Sequence, residues 1–180
     1  YSGRWCVLCT FGARMITIYL VRHGQTLENA NGVFQGQTPG TLSALGKEQA
    51  ETLCDTLVQM HFDTIYCSDL QRCKDTASIA LKLTSYHPIY TPLLRERDMG
   101  NLAGKPIAGA VIDDSVESVE ACSARARKLL QMLKEKHDGE TLLLFSHGYF
   151  CRIIQAVLTG IDHQEIPLMA NCGLKKLILF

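Results

Sequence analysis

Short continuous apolar runs alternate along the chain with longer segments in which apolar residues recur at every third and fourth position. Residues 16–21 form such a run, rich in branched side chains, as suits a strand buried on both faces of a parallel sheet. Leu45, Ala50, Leu53, Cys54, Leu57 and Val58 then keep helical spacing, entered from Ser43 and Gly46, so an amphipathic helix covers one sheet face. Residues 64–67 predict a second strand, with Ser68 placed to cap a helix through Leu70, Arg72, Ala77 and Ala80. Residues 88–91 predict a third strand, and residues 93–114 carry Pro, Gly and mixed polar residues without periodicity, which predicts a loop or insertion. Helical spacing returns at Val119, Cys122, Ala126, Leu129, Leu130 and Leu133, with Gly139 as a stop signal. A strand at 142–145 leads into a helix striped by Phe150, Ile153, Ile154, Val157 and Leu158 that closes near Gly160, and 174–180 make a final strand. Alternating strands and helices of these lengths predict an α/β protein, a three-layer α/β/α sandwich with a mainly parallel central sheet.

The 180 residues suffice for one compact domain, drawn over 15–180. Lys plus Arg and Asp plus Glu number 18 each, so no global field would draw the chain to nucleic acid or an anionic membrane, and any anion selectivity must be local. No apolar run approaches the roughly 20 residues of a transmembrane helix. Of eight cysteines, Cys54, Cys67, Cys73, Cys122, Cys151 and Cys172 lie singly in apolar stretches, where reduced cysteine acts as a small hydrophobe, and a reducing, cytoplasmic compartment is expected. Cys6 and Cys9 form a CxxC after Trp5, but no strand precedes it and no nearby residues complete a zinc site. Met15 is the first methionine, immediately before the first strand, so residues 1–14 are expected to be an extension of upstream or cloning origin.

In open parallel sheets, ligands bind beyond the carboxyl ends of the strands. Two histidines stand there, His23 after the first strand and His147 after the strand at 142–145, each followed by a glycine, Gly24 and Gly148, that allows close backbone approach. Arg22 precedes His23, and Arg72 lies one turn into the helix after the second strand, so a pocket of two arginines and two histidines can converge. Guanidinium groups match phosphate oxygens bidentately, and a neutral imidazole is a competent nucleophile toward phosphorus. No cluster of carboxylates or histidines at ligand spacing suggests a metal, and no cofactor is expected.

These residues fall in motifs that resemble the histidine phosphatase, or phosphoglycerate mutase-like, superfamily. Its LxRHGxT signature stands as Leu20-Val21-Arg22-His23-Gly24-Gln25-Thr26, and Asn29 matches the family's phosphate-contacting asparagine. Phe34, Gly36, Leu42 and Gly46 follow its glycine-punctuated segment; Ser68, Leu70, Arg72, Thr76 and Ala77 resemble its second-arginine motif. Leu94, Glu96 and Gly100 resemble the segment that supplies the acid, and Ser146-His147-Gly148 its second histidine motif. The resemblance implies that His23 attacks phosphorus in line while Glu96 protonates the departing oxygen, with Arg22, Arg72 and His147 as donors to the equatorial oxygens; Asp98 is the alternative acid.

The chain departs from the mutases in two places. Met99 stands where they usually place a tyrosine, and the long insertion with paired arginines and a lysine is missing. The reading is therefore a phosphomonoester hydrolase for a small phosphorylated metabolite, with a phosphoglycerate mutase as the alternative and a catalytically silent phosphate-binding module as a third possibility. Asn29, Gln35, Gly36 and Gly148 are expected to bind substrate, and Gln25, Gln37 and residues 100–113 to shape specificity.

Overall fold

The computed structural model describes residues 14–180, so the Cys6–Cys9 motif and nearly all of the 1–14 extension lie outside the described residues. Five strands form one sheet in the order β3-β2-β4-β1-β5. They are β1 (Ile16–Arg22), β2 (Thr64–Ser68), β3 (Ile89–Thr91), β4 (Thr141–Ser146) and β5 (Leu174–Leu179). All neighbouring pairs are parallel except β1 with β5, which is antiparallel. The helices are α1 (Leu27–Ala30), α2 (Ala44–Leu57), α3 (Gln71–Ala80), α4 (Val119–Lys136) and α5 (Gly148–Thr159).

Two apolar clusters, one on each face of the sheet, account for the layers. Ile16, Ile18 and Leu20 of β1 and Leu142 and Leu144 of β4 pack with Leu129 and Leu133 of α4 and Phe150, Ile153 and Ile154 of α5. Their neighbours of opposite parity, Val21, Leu143 and Phe145, pack with Leu53 and Leu57 of α2 and Cys73, Ala77 and Ala80 of α3. The side-chain alternation of a strand, with both faces covered, explains why these runs read as continuously apolar. Burying a side chain such as Leu20 or Phe145, both 0% exposed, stabilises the fold by about 1.5–3 kcal/mol. The expected three-layer α/β/α sandwich is therefore the observed one, and the observed helices and strands overlap the segments expected from the periodicity.

Local chemistry sets the ends of the helices. Ser43 Oγ accepts from Gly46 N at the start of α2, Ser118 Oγ from Ala121 N at the start of α4, and Gly160 closes α5 at φ 71°. One expected cap fails: α3 starts after Leu70 without a side-chain cap, because Ser68 remains the last residue of β2. The short α1 was not expected; its capping box joins Thr26 and Asn29. The segment predicted as a loop holds two short 3-10 turns, Pro92–Leu94 and Gly100–Leu102, and a small cluster of Met99, Leu102 and Val116 with Phe34. All six cysteines among the described residues are free thiols. Among those residues, no helix is long and apolar enough to cross a membrane.

Candidate active site

β4 lies between β2 and β1 in space although it follows both in sequence, and it pairs with β1 in register from Thr17↔Thr141 to Arg22↔Ser146. That register sets the two strand–His–Gly junctions side by side, and His23 N donates to Ser146 O at 3.0 Å. The imidazoles meet edge to face with centroids 5.2 Å apart. Both are buried, His23 at 2% exposure and His147 at 0%.

His23 Nδ1 lies 2.7 Å from Gly24 O. A carbonyl only accepts, so Nδ1 carries the proton and Nε2 keeps its lone pair. Arg72 Nε donates to that Nε2 at 3.3 Å. Burial, reinforced by Arg72 and then Arg22 and opposed by the Gly24 carbonyl, holds the His23 pKa well below its ordinary value. The ring is neutral at neutral pH. Burial and the same arginines also depress His147, whose Nε2 meets Ser68 Oγ at 2.8 Å. The serine expected to cap α3 thus holds the second histidine.

Arg72 is 1% exposed, and its guanidinium also donates to Gly36 O at 2.7 Å and to Thr38 O. It therefore shapes the 36–39 loop as well as facing His23. Arg22 Nη1 donates to Met169 O at 2.6 Å, while its buried Nε has no partner among the described residues. A Cβ on Gly148 would stand 3.1 Å from that Nε, so glycine is what lets Arg22 lie against the start of α5. Burial is the main influence on both arginine pKa values and lowers them, yet a guanidinium stays charged in any accessible pH range.

Glu96 sits at the unpaired N–H groups of α5. Its Oε1 accepts from Phe150 N at 2.9 Å and from Arg97 N at 2.9 Å, and its Oε2 from Tyr149 N at 3.1 Å. Its backbone carbonyl accepts from Arg125 Nη2 at 3.2 Å and from Gln37 Nε2 at 3.3 Å. Arg125 is itself paired with Glu117 at 2.8 Å and lies 4.0 Å over the Phe150 ring. This brace joins α4, α5 and the segment carrying Glu96, and no local sequence signal marks it.

A cleft of about 360 Å³ opens on these groups, lined by Arg22, His23, Asn29, Gln35, Gly36, Arg72, Glu96 and Gly148. Eight of the nine expected site residues thus converge. The ninth, His147, is wholly enclosed and touches His23 from within the protein. Gln35 Oε1 is buried without a donor, and Gly36 takes φ 56°, where a Cβ would meet Met99 N at 2.8 Å. Asn29 Oδ1 accepts from Thr26 N and lies 3.5 Å from Asn171 Nδ2, which donates to His23 O at 3.0 Å. Asp98 is exposed and bonded to Gly100 N, and Gln25 turns to Ser43 Oγ; neither lines the cleft.

The structure adds residues that sequence reasoning did not place at the site. Arg97 and Tyr149 line the cleft, stacked with the guanidinium 5.0 Å from the ring, and Leu168 joins them from the stretch before β5. Asn171 and Cys172 come from that same stretch, and Cys172, at φ 53°, donates its N–H to Arg22 O at 2.9 Å. Among the described residues, no group of three or more His, Cys, Asp or Glu side chains is gathered as a metal site would require.

Comparison with known proteins agrees with this geometry. The chain is 32% identical over 163 residues to a Schizosaccharomyces pombe protein named a probable phosphatase, and spans 65% of that protein's length and 90% of its own. It is 30% identical over 181 residues to a Yersinia enterocolitica protein named probable phosphoglycerate mutase GpmB, covering 90% of this chain and 84% of the relative. The solved mycobacterial glucosyl-3-phosphoglycerate phosphatase in complex with VO3 superposes with a TM-score of 0.81 at 26% identity, over 89% of this chain and 92% of that one. The model of the histidine phosphatase superfamily (branch 1) matches residues 18–179, and the chain belongs to that superfamily.

Proposed function

We propose that this chain is a phosphomonoester hydrolase that acts on a small phosphorylated molecule through a phosphohistidine on His23, with Glu96 as general acid and then general base. The observation that carries this reading is the tautomer. With Nδ1–H held by Gly24 O, His23 keeps a neutral Nε2 lone pair in the cleft; it accepts from Arg72 Nε at 3.3 Å, and that N–H passes to a phosphate oxygen as Nε2 makes its in-line attack on phosphorus.

The Nε2 lone pair forms the N–P bond as the P–O bond to the alcohol breaks. Arg22 and Arg72 compensate charge on the equatorial oxygens, and the unpartnered Arg22 Nε finds its acceptor there. Gln35 Oε1 gains a donor when a phosphate oxygen is protonated. Glu96 Oε2, with one N–H donor at 3.1 Å, keeps a lone pair for the proton passed to the leaving alkoxide; the carboxylate then takes a proton from the water that cleaves the N–P bond. His147, fixed through Ser68 and enclosed behind the cleft, supports the His23 ring and does not itself line the space for the phosphoryl group.

Water is the favoured acceptor over a second position of a glycerate. Among the described residues lining the cleft, Arg97 is the one cation besides Arg22 and Arg72, and its Nε is bonded to Glu117 O at 2.6 Å. A substrate carboxylate and second phosphate would find little compensation there. The test is a single preparation assayed for free phosphate and for 2- to 3-phosphoglycerate interconversion, with and without bisphosphoglycerate priming, and quenched in base to trap the acid-labile phosphoenzyme. Phosphate release with label on His23 is expected. Fast primed interconversion with negligible release, or label on another residue, would overturn the reading.

A further inference from the structure

Three large apolar side chains, Ile107 (50% exposed), Ile112 (50%) and Leu168 (49%), stand half in solvent, from two separate segments of the chain. Exposed apolar residues scattered singly need no explanation. These converge on the mouth of the cleft that holds His23, where Val33, Phe34 and Met99 continue the same wall inward. Contiguous apolar surface that opens onto a reactive centre is the mark of a binding site.

The polar side chains of the cleft are distributed unevenly. Arg22, His23, Asn29, Gln35, Arg72 and Glu96 all line the cleft; Arg72 donates to His23 Nε2, and Asn171 bridges the His23 carbonyl and Asn29. Beyond them, among the described residues, only Arg97 and Tyr149 carry polar groups. Arg97 commits its Nε to Glu117 O, and its guanidinium lies over the Tyr149 ring. A polyhydroxylated leaving group would lose water along this wall and recover few hydrogen bonds, a penalty that weakens transition-state binding. An alkyl or aryl group would gain by the same desolvation.

We infer that the alcohol released by this enzyme is apolar: the substrate is a phosphate monoester of an alkyl or aryl alcohol, whose carbon chain lies against Val33, Phe34, Met99, Ile107, Ile112 and Leu168. The inference rests on the phosphatase reading above and adds the leaving-group class. The overall step is P–O cleavage with water as acceptor, so no further reactant is needed.

The experiment measures kcat/KM for ethyl, butyl and hexyl phosphate beside glycerol 3-phosphate and glucose 6-phosphate, with p-nitrophenyl phosphate as control. Unsubstituted alkoxide leaving groups of this series differ little in basicity, so the trend reads binding of the chain. Each methylene should raise kcat/KM about twofold if half-buried and about fourfold if fully buried, so hexyl should exceed ethyl by roughly 15- to 250-fold. Butyl phosphate should likewise exceed both polyol phosphates. Ile112→Asn and Leu168→Gln, at half-exposed positions that the fold tolerates, should each lower the hexyl-to-ethyl ratio at least about threefold. That ratio is insensitive to the fraction of folded protein. Release of phosphate from every ester with a flat chain-length profile, or with a polyol phosphate preferred, overturns the leaving-group inference alone. Failure to release phosphate from any ester, the control included, overturns the phosphatase reading and the inference with it.

Discussion

At the floor of the cleft and just beneath it, His23, Arg72 and the enclosed His147 are at most 2% exposed and hang from strand ends or the first turn of a helix. On the outer wall, Ile107, Ile112 and Leu168 are about half exposed and sit in segments without regular secondary structure. The floor is held by hydrogen bonds that fix a tautomer and a guanidinium plane; of the wall, Met99 and Phe34 pack in a small cluster with Leu102 and Val116, and Ile107 is tied through its N–H to Gly32 O. The division is the one the proposed reaction calls for. Stabilising a transferring phosphoryl group requires donors that do not reorganise, which a sheet and a helix start supply. Holding an apolar leaving group requires only area removed from water, which a loop supplies at lower precision.

If that division holds, damage at the floor should act on every substrate. His23→Ala should lower kcat more than about 1,000-fold on alkyl and aryl phosphates alike, because the nucleophile itself is gone. Steady-state phosphate release measures this, and a variant retaining a few per cent of the wild-type rate would show that His23 is not the nucleophile.

Glu96→Gln separates proton donation from hydrogen-bond acceptance. The amide oxygen can still accept from Phe150 N or Arg97 N, but the group no longer delivers a proton. About 100-fold loss is expected on alkyl phosphates and less than about tenfold on p-nitrophenyl phosphate, whose leaving group needs little protonation. Equal losses on the two would make Glu96 a structural cap of α5.

A smaller effect comes from the neutral histidines of the floor. Both have native pKa values depressed by burial from 6.5, so below that pH the unfolded chain binds protons that the native state refuses. Stability therefore falls as pH drops through and below about 6.5, by up to about 1.4 kcal/mol per pH unit for each histidine, until the native pKa values are reached. Urea melts between pH 7.5 and 5 should show this slope, and His23→Gln should make it shallower. An unchanged slope in the variant would mean that His23 does not set it.

The smallest change should follow damage to the wall. Gly100 takes φ 48°, and a Cβ there would meet Ser115 O, so Gly100→Ala must displace the segment carrying Met99 and its neighbours. KM for hexyl phosphate is expected to rise about threefold to tenfold, with that for ethyl phosphate changed less than about twofold. Equal changes in both would show that floor and wall are mechanically one unit.

Much of the floor was legible in the sequence because its residues lie in short contiguous motifs. Arg22, His23 and Gly24 follow an apolar run that suits a buried strand, and Ser146, His147 and Gly148 repeat that arrangement. Helix spacing likewise marked α2, α3, α4 and α5, since an amphipathic stripe is a local property. Ser68 was misassigned because a serine after a strand reads as a cap, whereas its partner, His147, lies 79 positions away.

The sequence by itself determined the alternation of strands and helices, the strand-end position of both histidines and the neutral overall charge, all consequences of local pattern and composition. Tertiary structure decided the rest. Insertion of β4 between β2 and β1 brings His147 against His23, and the carbonyl of Gly24 selects the tautomer. The brace of Arg125 on Glu96, the Asn171 contact with the His23 carbonyl and the convergence of Ile107, Ile112 and Leu168 join segments far apart in the chain. Such contacts carry no local periodicity, because each depends on where the sheet sends its loops and not on the residues beside it.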